Sequence, residues 1–142
     1  MMNLEVRDIM TKENLIVAHP EQTIKEIANI MIEKHMQQLP VTDAEDKLVG
    51  MVTTYDLWKA SRDGIDEGTL IGDIMTTQIV RITPKDKVGT AAELFALRRL
   101  KTLPVVNLDN KLKGVVTAFD VIRVVFKEEY PQPILFTEAF TR

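Results

Sequence analysis

"GMVTTYD" at Gly50–Asp56 is followed, later in the chain, by "GVVTAFD" at Gly114–Asp120. Each has a glycine, two apolar residues, a threonine, two variable residues and an aspartate. The match extends outward. Pro20 pairs with Pro84 at the same offset of 64 residues, and so do the "LPV" triplets at Leu39–Val41 and Leu103–Val105. "DIMT" at Asp8–Thr11 returns at Asp73–Thr76 with an offset of 65, so the first copy has one extra residue between Thr11 and Pro20. Two copies are too few for a solenoid, which needs about three repeats to cover its ends. Two small halves packed about a pseudo-twofold axis are the better expectation.

Within each copy the hydrophobic period changes in the same order. "LIVAHP" and "IVRITP" read as short strands closed by proline. Ile24, Ile27, Ala28 and Met31, and in the second copy Val88, Ala91, Ala92 and Phe95, follow helical spacing and give one apolar face. Thr23 with Glu26 suits a capping box for the first helix. "LPVTDAEDKLVGMV" and "LPVVNLDNKLKGVV" are paired strand runs around polar turns at Asp43–Asp46 and Asn107–Asn110. "YDLWKASR" and "FDVIRVVFKE" supply a second helix. Each half is therefore predicted as β-α-β-β-α, an α/β chain of the α+β type. The expected division is repeat 1 over 1–62, a linker over 63–70, repeat 2 over 71–127 and a tail over 128–142.

Composition narrows the functional classes. Hydrophobic residues make up 45% and charged residues 27%, as in ordinary globular proteins. Net charge is -3, with 18 basic against 21 acidic residues, which disfavours a large nucleic-acid or anionic-membrane footprint. Without cysteine there is no disulfide, zinc-thiolate site or thiol nucleophile. No apolar run approaches ~18 residues, and "MMNLEVRDIM" carries acids where a signal peptide is apolar. A cytoplasmic protein without membrane or nucleic-acid partners is expected. No nucleophile–base pair, P-loop or metal-ligand cluster is legible, so neither catalysis nor a required cofactor is expected. His19 and His35 have no metal-motif spacing.

The repeated T-x-x-D lies where a strand ends and a helix begins, and it fits two roles. As a capping box, threonine accepts from an orphan amide while aspartate favours the positive end of the helix dipole. As a ligand site, the same helix start offers amides to phosphate, and the carboxylate can accept from ribose hydroxyls. The preceding glycine would then let a ligand approach the backbone. The tetrapeptide itself fits both.

"VRDIMT" and "IGDIMT", the "LPV" triplets and the two G-h-h-T-x-x-D segments, each in the same order twice, resemble a tandem pair of CBS domains (a Bateman module) over Val6 to Lys127. The resemblance implies AMP, ADP, ATP or S-adenosylmethionine as ligand, in clefts between the halves. By resemblance Thr53 and Asp56 mark one cleft, with Met51 against adenine and Thr76 and Thr77 contributed by the opposite half. Thr117 and Asp120 mark the other, with Val115, Thr11 and Lys12. Basic residues before "LPV" lie near phosphate in this family. Lys101 and Arg99 stand there in the second copy, whereas Gln37 replaces the lysine in the first, so the second cleft is expected to favour the more highly charged phosphate group. The same basic residues also suit a helix C-terminus, where they complement the dipole.

The resemblance further implies a homodimer and a separate target protein. The alternatives from other classes are a scaffold or dimerisation module with non-functional clefts and, behind it, an enzyme acting on a nucleotide. Tyr55 and Trp58 are expected in the core or an interface, and Met31 and Met36 as core fillers. Ile134, Leu135, Phe136 and Phe140 in the tail are expected to dock on the pair or on a partner subunit.

Overall fold

Thr23 caps the first helix as its spacing predicts. In the computed structural model, which describes residues 3–129, Thr23 Oγ1 accepts the Glu26 N–H at 3.2 Å. Glu26 Oε1 reaches back to the Thr23 N–H. Helix α1 (Ile24–Glu33) follows, burying Ile24, Ile27 and Met31. Its counterpart α3 (Val88–Arg98) buries Val88, Ala91 and Phe95 without a side-chain cap. Strands β1 (Gln38–Thr42) and β2 (Leu48–Thr53) form an antiparallel hairpin that leads into α2 (Thr54–Arg62). Strands β3 (Thr102–Val106) and β4 (Leu112–Thr117) lead likewise into α4 (Ala118–Glu129).

Both hairpins turn through an aspartate or asparagine that bonds its own loop. Asp43 Oδ1 accepts the Glu45 and Lys47 amides, each at 2.9 Å. Asn107 Oδ1 accepts those of Asp109 and Lys111, each at 3.0 Å. Asp46 and Asn110 take the left-handed conformation that these residues tolerate, with φ of 64° and 63°.

The strand predicted at the start of each half is reduced to a single parallel bridge. Ala18 pairs with Val41, and Ile82 with Val105. Prolines cut both ends of each ladder. The Ala18 N–H donates to the Pro40 carbonyl, and the Thr42 N–H to the Ala18 carbonyl. In a parallel ladder the next donor in one direction is residue 40 and in the other residue 20. Both are proline and have no N–H. Pro84 and Pro104 do the same in the second half. The sequence shows these prolines, but only the pairing register shows that they face each other.

The two halves interlock through matching bonds, which defines the pseudo-twofold axis. The Val6 N–H donates to Asp86 O at 2.7 Å, and its equivalent Ile71 donates to Gln22 O at 2.7 Å. Arg7 donates to Pro84 O, as Gly72 does to Pro20 O. At the hairpin turns, Leu48 N–H bonds Asn110 O at 3.0 Å and Leu112 N–H bonds Asp46 O at 2.9 Å. The cores follow the same exchange. Val6, fully buried, belongs to the cluster of Val88, Ala91, Leu103, Val105 and Val116 in the second half. Ile71, also fully buried, belongs to the cluster of Ile27, Leu39, Val41 and Val52 in the first. Each repeat's leading segment thus completes the other repeat's core.

Met31 fills the core as expected and Met36 is half-buried against it. Tyr55 and Trp58 are not core: they are 61% and 55% exposed. Their rings lie 5.8 Å apart, with the Arg62 guanidinium 5.0 Å from the Trp58 ring. The matching face of α4 exposes Phe119 and Ile122, with Arg123 over Phe119. Both helices turn their inner side, through Ala60 and Val121, to the core. The aromatic positions therefore fall on the outer side. Tail residues Ile134, Leu135, Phe136 and Phe140 lie outside the described residues.

Candidate ligand clefts

Both T-x-x-D segments are capping boxes. Thr53 Oγ1 accepts the Asp56 N–H at 3.1 Å, and Asp56 Oδ2 accepts the Thr53 N–H at 2.9 Å. Thr117 and Asp120 repeat this at 3.1 and 2.9 Å. The main chain takes one carboxylate oxygen in each box, Oδ2. The Oδ1 of Asp120 has no protein partner among the described residues, so capping leaves it able to accept a ligand hydroxyl.

The opposite half comes to each box as expected. Met51 and Thr76 exchange two main-chain hydrogen bonds, at 2.9 and 2.8 Å. Thr11 and Val115 exchange two at 2.9 Å. Thr77 and Lys12 follow directly and are exposed. These bonds occupy the N–H of Met51 and Val115 and one of the two lone pairs on each carbonyl oxygen. Met51 is buried and Val115 half-buried.

The two clefts differ at the carboxylate. The Thr76 hydroxyl lies 3.2 Å from Asp56 Oδ1 and 3.3 Å from Oδ2. Among the described residues, Thr11 makes no such bond to Asp120. Beside Asp56 lies a cavity of about 410 Å³, lined by Lys59, Asp63, Asp73, Met75 and Thr76 among others. That is within the size range of small-molecule sites.

The glycine of the motif lies against the segment supplied by the opposite half. A Cβ on Gly114 would stand 2.7 Å from the Thr11 carbonyl oxygen and 2.9 Å from Met10 Sδ. On Gly50 it would collide with Met75 Sδ and stand 3.1 Å from Thr76 O. Each of these glycines permits a close approach between two segments of the chain.

The basic residues are dispersed. Arg99 is the C-cap of α3 in the left-handed conformation, with φ 54° and ψ 36°. His35, its equivalent, has φ 55°. Lys101 Nζ donates to Gln37 Oε1 at 2.6 Å, across the pseudo-twofold axis. Sequence reasoning missed this partner, although the 64-residue offset already paired the two positions. Among the described residues no group of three or more His, Asp or Glu side chains could hold a metal ion. No described helix is long and apolar enough to cross a membrane.

Fold and clefts together define a tandem pair of CBS domains, each with a capped helix start at the seam between halves. The family profile described as "CBS domain" matches residues 6–60 and 71–127, so the chain belongs to the CBS-domain family. Among solved structures it is similar to CBSX2 in complex with AMP. The TM-score is 0.81 at 30% identity, over 89% of this chain and 99% of that one. The CBS pair of protein MJ0100, in complex with 5′-methylthioadenosine and S-adenosyl-L-methionine, gives 0.76 at 30%, over 88% and 98%.

Among curated relatives, an inosine-5′-monophosphate dehydrogenase of Methanocaldococcus jannaschii is 33% identical over 125 residues. A homoserine O-acetyltransferase of Methanohalobium evestigatum is 32% identical over 123. These matches cover 88% and 84% of this chain but 24% of each relative.

Proposed function

We propose that this CBS pair is a regulatory module that binds an adenosyl ligand, an adenine nucleotide or S-adenosylmethionine, and signals its presence to a target protein. The observation that carries this reading is the arrangement at Asp120. A carboxylate oxygen is left free by its own cap, at a helix start that favours phosphate, beside a segment supplied by the other half. The complexes of CBSX2 with AMP and of MJ0100 with methylthioadenosine and S-adenosylmethionine support the ligand class.

In this reading Asp56 and Asp120 accept ribose hydroxyls, while Thr53 and Thr117 lie by phosphate. Met51 and Val115, with Thr76, Thr77, Thr11 and Lys12 from the opposite halves, surround adenine. Arg99 and Lys101 supply positive charge. The exposed aromatic and aliphatic faces of α2 and α4 form the interface of a homodimer, since apolar patches of that kind mark association surfaces.

Calorimetric titration of AMP, ADP, ATP and S-adenosylmethionine into wild type, Asp56→Ala and Asp120→Ala tests the reading. Loss of charge-assisted bonds worth ~1.5–3 kcal/mol should weaken an occupied cleft by roughly 10- to 150-fold. Unchanged affinity in both variants would reduce the motif to a helix cap. No binding at all would favour a scaffold, and turnover of any ligand would favour an enzyme.

A further inference from the structure

We propose that Lys101 is a single cation shared by the two clefts, so that phosphate-bearing ligands in them compete for one ammonium group. This deepens the adenosyl-binding reading and rests on it. Gln37 and Lys101 occupy equivalent positions immediately before β1 and β3. The Gln37 carbonyl accepts the Thr54 N–H at 3.0 Å, and the Lys101 carbonyl accepts the Ala118 N–H at 3.2 Å. Each residue is thus fixed at the first turn of the helix that carries its own T-x-x-D. The Lys101 side chain nevertheless crosses the axis and donates to Gln37 Oε1 at 2.6 Å. The ammonium is anchored through its main chain to one helix start and through its head group to the residue anchored at the other.

Three features let that group exchange between clefts. Its bond is to a neutral amide, and among the described residues it has no carboxylate partner, so a phosphate would be its first anionic neighbour. Both side chains are exposed, so movement strips no buried charge of its partner. Lysine carries a point charge on four rotatable carbons, with two donors remaining beyond the one used here. Among the described residues, the other basic residues before "LPV", Lys34 in the first half and Arg98 and Arg99 in the second, make no bond across the axis. A phosphate arriving at either cleft draws Lys101 toward it, and a second phosphate finds the cation already engaged. Adenosyl ligands without any anionic group, such as 5′-methylthioadenosine, escape this competition.

Calorimetry with AMP and with 5′-methylthioadenosine, which has no phosphate, tests the proposal. Asp56→Ala isolates the second cleft and Asp120→Ala the first. Adding Lys101→Gln to each should weaken AMP by about 3- to 10-fold in both backgrounds, as for a partly exposed charge-assisted contact. Methylthioadenosine should change by less than about twofold in either, because it offers the ammonium no anion. Independently, Gln37→Lys in the otherwise unaltered chain gives each cleft its own ammonium and should draw the two stepwise AMP constants together. AMP weakened in only one background, AMP binding in only one background, or stepwise constants unmoved by Gln37→Lys would each overturn the sharing. If wild type binds neither ligand, the adenosyl reading falls and this inference with it.

Discussion

Replacing Gly114 with alanine should destabilise the protein more than the same change at Gly50, although the motifs are nearly identical. In an open strand, glycine to alanine stabilises by roughly 0.5–1 kcal/mol, because alanine loses less chain entropy on folding. At Gly114 the new Cβ meets the Thr11 carbonyl oxygen at 2.7 Å, and a main-chain atom cannot swing aside. Either the contact is compressed, at about 1–3 kcal/mol for overpacking, or the N-terminal segment moves away. Moving away sacrifices the two Thr11–Val115 bonds, worth about 0.5–1.5 kcal/mol each, and loosens buried Val6. The net cost is ~1–2 kcal/mol, or a drop in Tm of about 3–10 °C for a chain of this length. At Gly50 the first obstacle is the Met75 thioether, the far end of a flexible side chain, with Thr76 O at 3.1 Å behind it. The cost there should fall below about 1 kcal/mol. Thermal unfolding of both variants, with hydrogen exchange at the Thr11 amide as a local probe, measures this. A Gly114→Ala protein that melts at or above wild type, or a Gly50→Ala protein that melts lower than it, would refute the reasoning.

Arg99 holds a left-handed backbone position that glycine occupies without strain, so Arg99→Gly should raise stability by ~1 kcal/mol, seen as a Tm increase of about 3–5 °C. The same variant should weaken phosphate-bearing ligands if the second cleft uses that charge, and calorimetry separates the two effects. Trp58→Glu places a charge on the exposed aromatic face of α2 and should convert a dimer into a monomer of about 16.1 kDa in sedimentation equilibrium, with little change in melting of the separated chain.

Much of the architecture was legible because it is local. The faces Ile24–Ile27–Met31 and Val88–Ala91–Phe95 follow from helical spacing alone. The Thr23–Glu26, Thr53–Asp56 and Thr117–Asp120 boxes follow from a four-residue pattern. What was not legible depends on residues distant in the chain. The first strand of each half reads as complete in sequence, whereas the register sets Pro20 and Pro40 against the same ladder. The motif glycines pack against Met10 and Thr11, and against Met75 and Thr76, neighbours that no local pattern names. Period analysis placed Tyr55 and Trp58 on an amphipathic helix without revealing which side faces out. The contacts of Thr76 with Asp56 and of Lys101 with Gln37 depend on side-chain direction, which no spacing rule encodes.

The traded segments around Val6 and Ile71 bear on how such a chain could have arisen. A gene encoding one repeat would make a subunit with a hole in its interior, because its own leading segment points away from it. That subunit would be whole only when a second copy lent it the missing residue and took one in return, which is a domain-swapped pair. Duplication within one gene turns this loan into an intramolecular event at high effective concentration. The covalent joint then serves mainly to keep lender and borrower together. Cleaving the exposed stretch between Gly64 and Gly68 should therefore yield two fragments that travel as one particle under native conditions and part only when denatured.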